Sequence, residues 1–166
     1  MLILSIDPGY ERLGIAVIEK NPSDKRERLL YSDCFKTDKK LPFPERLVMI
    51  GQEIGRLLTK YRPEALAIET LFFNTNQTTA MKVSEARGVV IFQCAQAGLT
   101  ISEFTPLEIK IAISGYGRGD KKQITAMVEK LIEISEPIKH DDEYDAIAVG
   151  LTFFATAGTR NFLRKK

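Results

Sequence analysis

Apolar residues fall into two rhythms along this chain. Residues 2–7 (LILSID) and 13–19 (LGIAVIE) are short apolar runs joined by a turn that holds Pro8 and Gly9. Runs of this length bounded by turn residues predict two antiparallel strands. A third run, 28–36 (RLLYSDCFK), follows the polar loop of Asn21, Pro22, Ser23 and Asp24, so the chain opens as a three-stranded meander. From Glu45 the period lengthens. Leu47, Ile50, Ile54, Leu57 and Leu58 lie on one helical face, with the stiff stretch 41–44 (LPFP) before it and Pro63 after it. Residues 65–69 (ALAIE) read as a buried parallel strand. Residues 78–97 read as a long helix, apolar nearly all round from Val89 to Phe92 and stopped by Gly98.

Residues 99–104 (LTISEF) give a further strand. Pro106 starts a short helix to about Ser114, and Gly115, Gly117 and Gly119 make a loop. Ile124, Met127, Val128, Leu131 and Ile132 define an amphipathic helix that Pro137 breaks, and a last helix runs from about Asp142 to Thr156. Three strands followed by alternating helix and strand predict a mixed α/β sheet with helices on its faces. There is no internal repeat, low-complexity linker or sign of a second domain. Residues 1–157 are expected to form one domain, and 158–166 a basic tail.

Composition narrows the chemistry. A chain of 166 residues with 44% hydrophobic content suits one globular core. No apolar run approaches the roughly 18 residues of a membrane span. The N-terminal MLILSIDPGY has no basic region or small-residue cleavage site, so it reads as a strand and not a signal peptide, and a cytoplasmic location is expected. Cys34 and Cys94 match no zinc spacing and read as small core residues. The single histidine, His140, excludes a multi-histidine metal site, so any metal would need oxygen ligands. A net charge of +2 says little about nucleic acid, although 118–122 and 160–166 are locally basic. Solvated surface is the bland reading of both stretches.

Four carboxylates stand out by position. Asp7 and Glu69 each end an apolar strand, and sheet ends are where clefts open in α/β folds. Asp142 and Asp145 are three apart at the start of an otherwise apolar helix, so they share a face and favour its N-terminus. Each has an ordinary alternative: Asp7 as a turn former before Pro-Gly, the other pair as common first-turn acids. The residues alone leave both readings open. If the four converge, their mutual repulsion calls for a divalent cation. Carboxylates with phosphate and water suit Mg²⁺ or Mn²⁺, and two such ions can hydrolyse a phosphodiester without a Ser or Cys nucleophile.

Ile6-Asp7-Pro8-Gly9, Gly14, Ala67-Ile68-Glu69, Ser84-Glu85-Ala86-Arg87-Gly88 and the stretch from Asp142 to Ala148 resemble, in order and spacing, the RuvC family of Holliday-junction resolvases over roughly residues 1–157. The resemblance implies an RNase H-like fold with a five-stranded mixed sheet, an antiparallel meander plus two parallel strands. It implies a homodimer that nicks four-way DNA junctions symmetrically with Mg²⁺ or Mn²⁺, two ions per active site, and that works with the RuvA and RuvB branch-migration proteins. Asp7, Glu69, Asp142 and Asp145 become the catalytic, metal-binding carboxylates. Phe72 falls where the family places an aromatic against junction bases, and base stacking is weighed against a role as core anchor. Lys110 and Lys121 match basic positions facing DNA, and Arg118 and Lys122 extend that patch. Asn76, Lys82 and Arg87 also fall near DNA in the family, although mid-helix Arg87 could instead pair with a carboxylate. The chain departs from many relatives in having Thr70 after Glu69, and Asp142 where some have His. His140 sits two residues earlier and reads as an exposed loop residue.

Three other readings compete. Asp7-Pro8-Gly9 also resembles the phosphate loop of actin-like ATP-binding proteins, but those pair two such domains, and the loop 115–121 is no P-loop. A non-catalytic DNA binder fits poorly, because unneutralised acids in a DNA groove repel phosphate. Within nucleases, an RNase H or a transposase-like enzyme is the runner-up.

Overall fold

A computed structural model describes residues 1–71, 77–115, 117 and 119–164, with side chains excepted at 77, 78 and 157–164. Its elements run β1 (Leu2–Asp7), β2 (Arg12–Glu19), β3 (Glu27–Lys36), α1 (Phe43–Tyr61), β4 (Ala65–Glu69), α2 (Gln77–Gln96), β5 (Thr100–Phe104), α3 (Pro106–Ser114), α4 (Lys121–Leu131), β6 (Ile132–Glu133) and α5 (Asp141–Arg164). One mixed sheet has the order β5-β4-β1-β2-β3-β6. β1, β2 and β3 form the expected antiparallel meander, and β4 and β5 add in parallel beside β1.

Among the described residues the sheet therefore has six strands and not the expected five. The extra strand is two residues long. α4 stops at Leu131, Ile132 turns extended, and Ile132 and Glu133 pair in parallel with Glu27 and Arg28. Ile132 is buried there, so packing against the sheet edge ends a helix that periodicity alone would carry on toward Pro137. α5 also differs: it continues to Arg164, past the end expected at Thr156.

Alternation along the strands sorts the two faces. Leu4 and Ile6 of β1 and Leu66 and Ile68 of β4 point to α1 and α2, where they meet Ile50, Ile54, Leu57, Val90 and Cys94. Burying each of the large aliphatic side chains contributes about 1.5–3 kcal/mol. The opposite face is built from smaller residues. Ala16 of β2 and Ala65 and Ala67 of β4 lie there with Ile3 and Ile18, beneath Ala146, Ile147 and Val149 of α5. Small side chains let α5 settle low on the sheet. Gly150 makes the approach closer still: a Cβ there would stand 2.6 Å from Ile18 Cδ1 and 2.8 Å from Ser5 Oγ. Asp7 and Glu69 continue the sequence of positions that face α5, so both carboxylates emerge on the helix-bearing side where its N-terminus lies.

Capping boxes fix the helices beside this edge. Thr105 and Glu108 exchange bonds at the start of α3, with Pro106 in its first turn. Asp120 and Gln123 do the same for α4. No helix among the described residues is long and apolar enough to cross a membrane.

Candidate active site

Asp7 and Glu69 close adjacent parallel strands, one residue beyond the last registered pair, Ile6 with Ile68. Their carboxyl groups are within hydrogen-bonding reach of each other. Asp145 joins them from the first turns of α5. The three line one cleft of about 380 Å³, together with Pro106, Ile109, Lys110, Asp120, Lys121, Ile124 and Ala148. A larger cavity of about 750 Å³ runs along β3 past Tyr31, Cys34, His140 and Glu143, and none of the four expected acids lines it.

Asp142 departs from the expected set. It sits beside the others, with Gly14 of β2 wedged between its backbone and Asp7. Its carboxylate, however, turns out of the cleft to an ion pair with Arg12, and the Cys34 thiol donates to it at 3.5 Å. Asp145 is also engaged, by Lys121 at 3.2 Å, and Lys121 reaches Asp141 at 3.3 Å as well. Accordingly, among the described residues no three acid, His or Cys side chains close into a ready-made ion cage.

Sequence reasoning missed what anchors the start of α5. Glu143 is buried, accepts from the backbone N–H groups of Lys139 and His140, and takes a bond from Ser32 Oγ on β3. This half of a capping box locks the register that places Asp142 and Asp145. The Glu three residues after His140 was the available signal. Arg12 had none, since its partner lies 130 residues away. His140 is half-buried at the helix start, with Lys36 Nζ 3.4 Å from its Nε2, and stands outside the cleft.

The electrostatics are those of crowded acids. Burial, and then the charges of Glu69, Asp145 and Asp142, push the Asp7 carboxyl up to about 8, with Lys121 opposing. Burial and Asp145 raise Glu69 to about 7, against Lys110. Asp145 is raised by burial and lowered in part by Lys121. At neutral pH the Asp7–Glu69 pair holds a proton unless a cation takes its place. All the donors are hard oxygens, so the chemistry of this set fits Mg²⁺ or Mn²⁺. Asp7, Glu69 and Asp145 present it directly, and Asp142 on leaving Arg12.

The basic residues divide. Lys110 and Lys121 line the cleft, and Lys122 is exposed outside it. Lys82 lies over the rings of Tyr10 and Phe43, at 5.5 and 5.7 Å. Arg87 turns inward: it pairs with Glu103 and donates Nε to the Glu69 carbonyl at 3.0 Å. Of the other expected DNA contacts, Phe72, Asn76 and Arg118 lie outside the described residues.

Comparison with known proteins places the chain. The family model described as crossover junction endodeoxyribonuclease RuvC matches residues 3–153. A crossover junction endodeoxyribonuclease RuvC of Desulfitobacterium hafniense is 46% identical over 153 residues, which is 91% of this chain and 90% of that protein. The solved Thermus thermophilus RuvC structure superposes with a TM-score of 0.87 at 31% identity, covering 96% of both chains. The T. thermophilus RuvC in complex with Holliday junction substrate gives 0.87 at 32%, covering 96% of this chain and 97% of that one. An RNase H-like fold, the paired strand-end acids and a family match over nearly the whole length agree: this chain belongs to the RuvC family of crossover junction endodeoxyribonucleases.

Proposed function

We propose that this protein resolves four-way DNA (Holliday) junctions in recombination and repair, nicking two opposed strands by divalent-metal-dependent phosphodiester hydrolysis. The carrying observation is the crowding of Asp7, Glu69 and Asp145 in one cleft, with all three carboxyls raised by burial, Asp7 also by Glu69 and Asp145, and Glu69 also by Asp145. Such a group is costly without a cation and useful with one.

Asp7, Glu69, Asp145 and Asp142 are the residues that would hold Mg²⁺ or Mn²⁺, with two ions per site. When bound, these ions stabilise charge developing on the phosphate and make water a better nucleophile. The chain's own groups do the rest. Lys110 and Lys121 place positive charge on the cleft wall, where a phosphate must enter between acids. Lys121 also donates to the Asp145 carboxylate at 3.2 Å. Ile109, Ile124 and Ala148 line the cleft with apolar surface, which limits solvent around the reacting group. Lys82 and Lys122 are read as outer phosphate contacts, and Phe72, Asn76 and Arg118 as further DNA contacts carried from the family.

Symmetric nicking needs two sites, and the homodimer reading is supported by α2. Met81, Gly88 and Phe92 recur on one helical face; Met81 and Phe92 are 62% and 61% exposed, and Gly88 has open space above it. Two exposed apolar side chains flanking a glycine gap, with Ser84 and Glu85 on the same face, suit a two-fold helix pair. Coupling to RuvA and RuvB, a cytoplasmic location and the division into a domain at 1–157 and a basic tail at 158–166 rest on the family and the sequence.

Cleavage of a synthetic four-way junction, compared with linear duplex and with an RNA–DNA hybrid, tests the reading. Paired nicks in the junction should appear with Mg²⁺ and vanish in Asp7→Asn. Equal cutting of the linear duplex would defeat junction specificity, and preference for the hybrid would favour an RNase H.

A further inference from the structure

We infer that Arg87 is a positioning residue for Glu69, held in place by Glu103, and not a phosphate contact. The inference rests on the reading of Glu69 as a metal-binding carboxylate. It begins with a gap in the sheet. Thr70 N–H donates to the Phe104 carbonyl at 2.8 Å, so at the end of β4 the ladder toward β5 continues. Alternation then turns the Glu69 carbonyl to the β1 side. One step past the Ile6–Ile68 pair, that carbonyl needs a donor from position 8, and Pro8 has no N–H. The β1–β4 register stops there.

Arg87 fills this gap. From the middle of α2 its Nε donates to the Glu69 carbonyl at 3.0 Å, and its Nη2 pairs with the Glu103 carboxylate on β5. The side chain is only 17% exposed, whereas Glu103 is 51% exposed. A planar guanidinium can satisfy a carbonyl and a carboxylate at once in fixed directions, and an ammonium cannot do so with the same geometry. Arg87 thus ties three elements, β4, β5 and α2, at the residue whose side chain faces the cleft. With both its carbonyl and the following N–H fixed, Glu69 has little freedom to swing away from Asp7. Two of its five donors are so engaged, and at 17% exposure the rest have little access to a phosphate.

Mutating a group that orients a metal ligand typically costs about 10–100-fold in metal affinity or activity. The test uses Arg87→Gln, Arg87→Lys and Glu103→Gln, with Glu69→Gln as a control. Four quantities are measured: Mn²⁺ affinity by calorimetry, junction affinity across a salt series in EDTA, single-turnover nicking at saturating junction, and thermal unfolding. The expected result for Arg87→Gln is Mn²⁺ affinity lower by about tenfold or more and nicking reduced with it, with junction affinity and its salt slope unchanged. Glu103→Gln should show a smaller loss of the same kind, and Arg87→Lys an intermediate one. Should Arg87→Gln fail to fold, the Arg87→Lys and Glu103→Gln pair carries the same comparison. Weaker junction binding with a salt slope reduced by about one, at wild-type Mn²⁺ affinity, would make Arg87 a phosphate contact and overturn the inference. If Glu69→Gln itself keeps Mn²⁺ affinity and nicking, the reading of Glu69 fails. If Glu69→Gln loses both while the Arg87 and Glu103 variants keep both, only the positioning role fails.

Discussion

Gly14 lies so near Asp142 that a Cβ placed on it would stand 2.2 Å from the Asp142 carbonyl oxygen and 3.1 Å from Cβ of Asp7. The first turn of α5 is thus seated against β2 beside the acid that ends β1. The obstacle is backbone, which cannot swing aside as a long side chain could. Gly14→Ala must displace the helix start, at a cost of about 1–3 kcal/mol typical of overpacking. The expected outcome is a Tm lower by about 3–10 °C and junction nicking reduced more than tenfold. Wild-type values for both in a thermal melt and a nicking assay would show that the helix does not sit this close.

The Asp7 carboxyl gives a pH signature with a definite sign. Its folded value, about 8, lies above the ordinary 3.8. The folded state therefore binds the proton more tightly than the unfolded state does. That contribution is complete below about pH 4 and is lost as pH rises toward 8. In EDTA, the Tm of Asp7→Asn minus that of the wild type should grow between pH 5 and 8. A constant difference over that window would mean that Asp7 is not crowded.

On the proposed reading of Asp142 as a metal ligand, Arg12 competes with the cation for its carboxylate. The pair is partly exposed, with Arg12 at 49%, so it adds little stability. Arg12→Gln frees the carboxylate and removes a positive charge from the site's edge. Calorimetry should find tighter Mn²⁺ binding with nearly unchanged Tm. Weaker binding would place Arg12 in support of the site and not in competition with it.

The two neighbouring lysines at the start of α4 should separate cleanly. Lys121 lines the cleft and bonds to Asp145 at 3.2 Å, while Lys122 lies outside it. Lys121→Ala should lower single-turnover nicking at saturating junction by about a hundredfold. Lys122→Ala should weaken junction binding and reduce its salt slope by about one, with the rate at saturation unchanged. Identical profiles for the two would remove the distinction between cleft and rim.

What could be read from the chain reflects where the signals reside. Asp7 and Glu69 were legible because a charged residue ending an apolar strand is conspicuous, and both strands were found with their observed bounds. Membership in the family was legible because its motifs span both ends of the chain. The direction of the Asp142 carboxylate was not legible, since its partners Arg12 and Cys34 come from distant strands. The inward turn of Arg87 was legible in part: its mid-helix place allowed a carboxylate partner, which is Glu103, but not its bond to the Glu69 carbonyl, which Pro8 leaves without an N–H. β6 escaped because two residues carry no period, and only the burial of Ile132 against the sheet defines it. The length of α5 escaped because its final turns lack the apolar stripe that marked its start.

The most direct test of the central claim is anomalous scattering from a crystal soaked in Mn²⁺. The account predicts a peak at ligand distance from carboxylate oxygens of Asp7, Glu69 and Asp145, with Asp142 turned from Arg12 toward it. A protein that nicks junctions with Mn²⁺, yet shows its bound ion away from these three side chains, would contradict it.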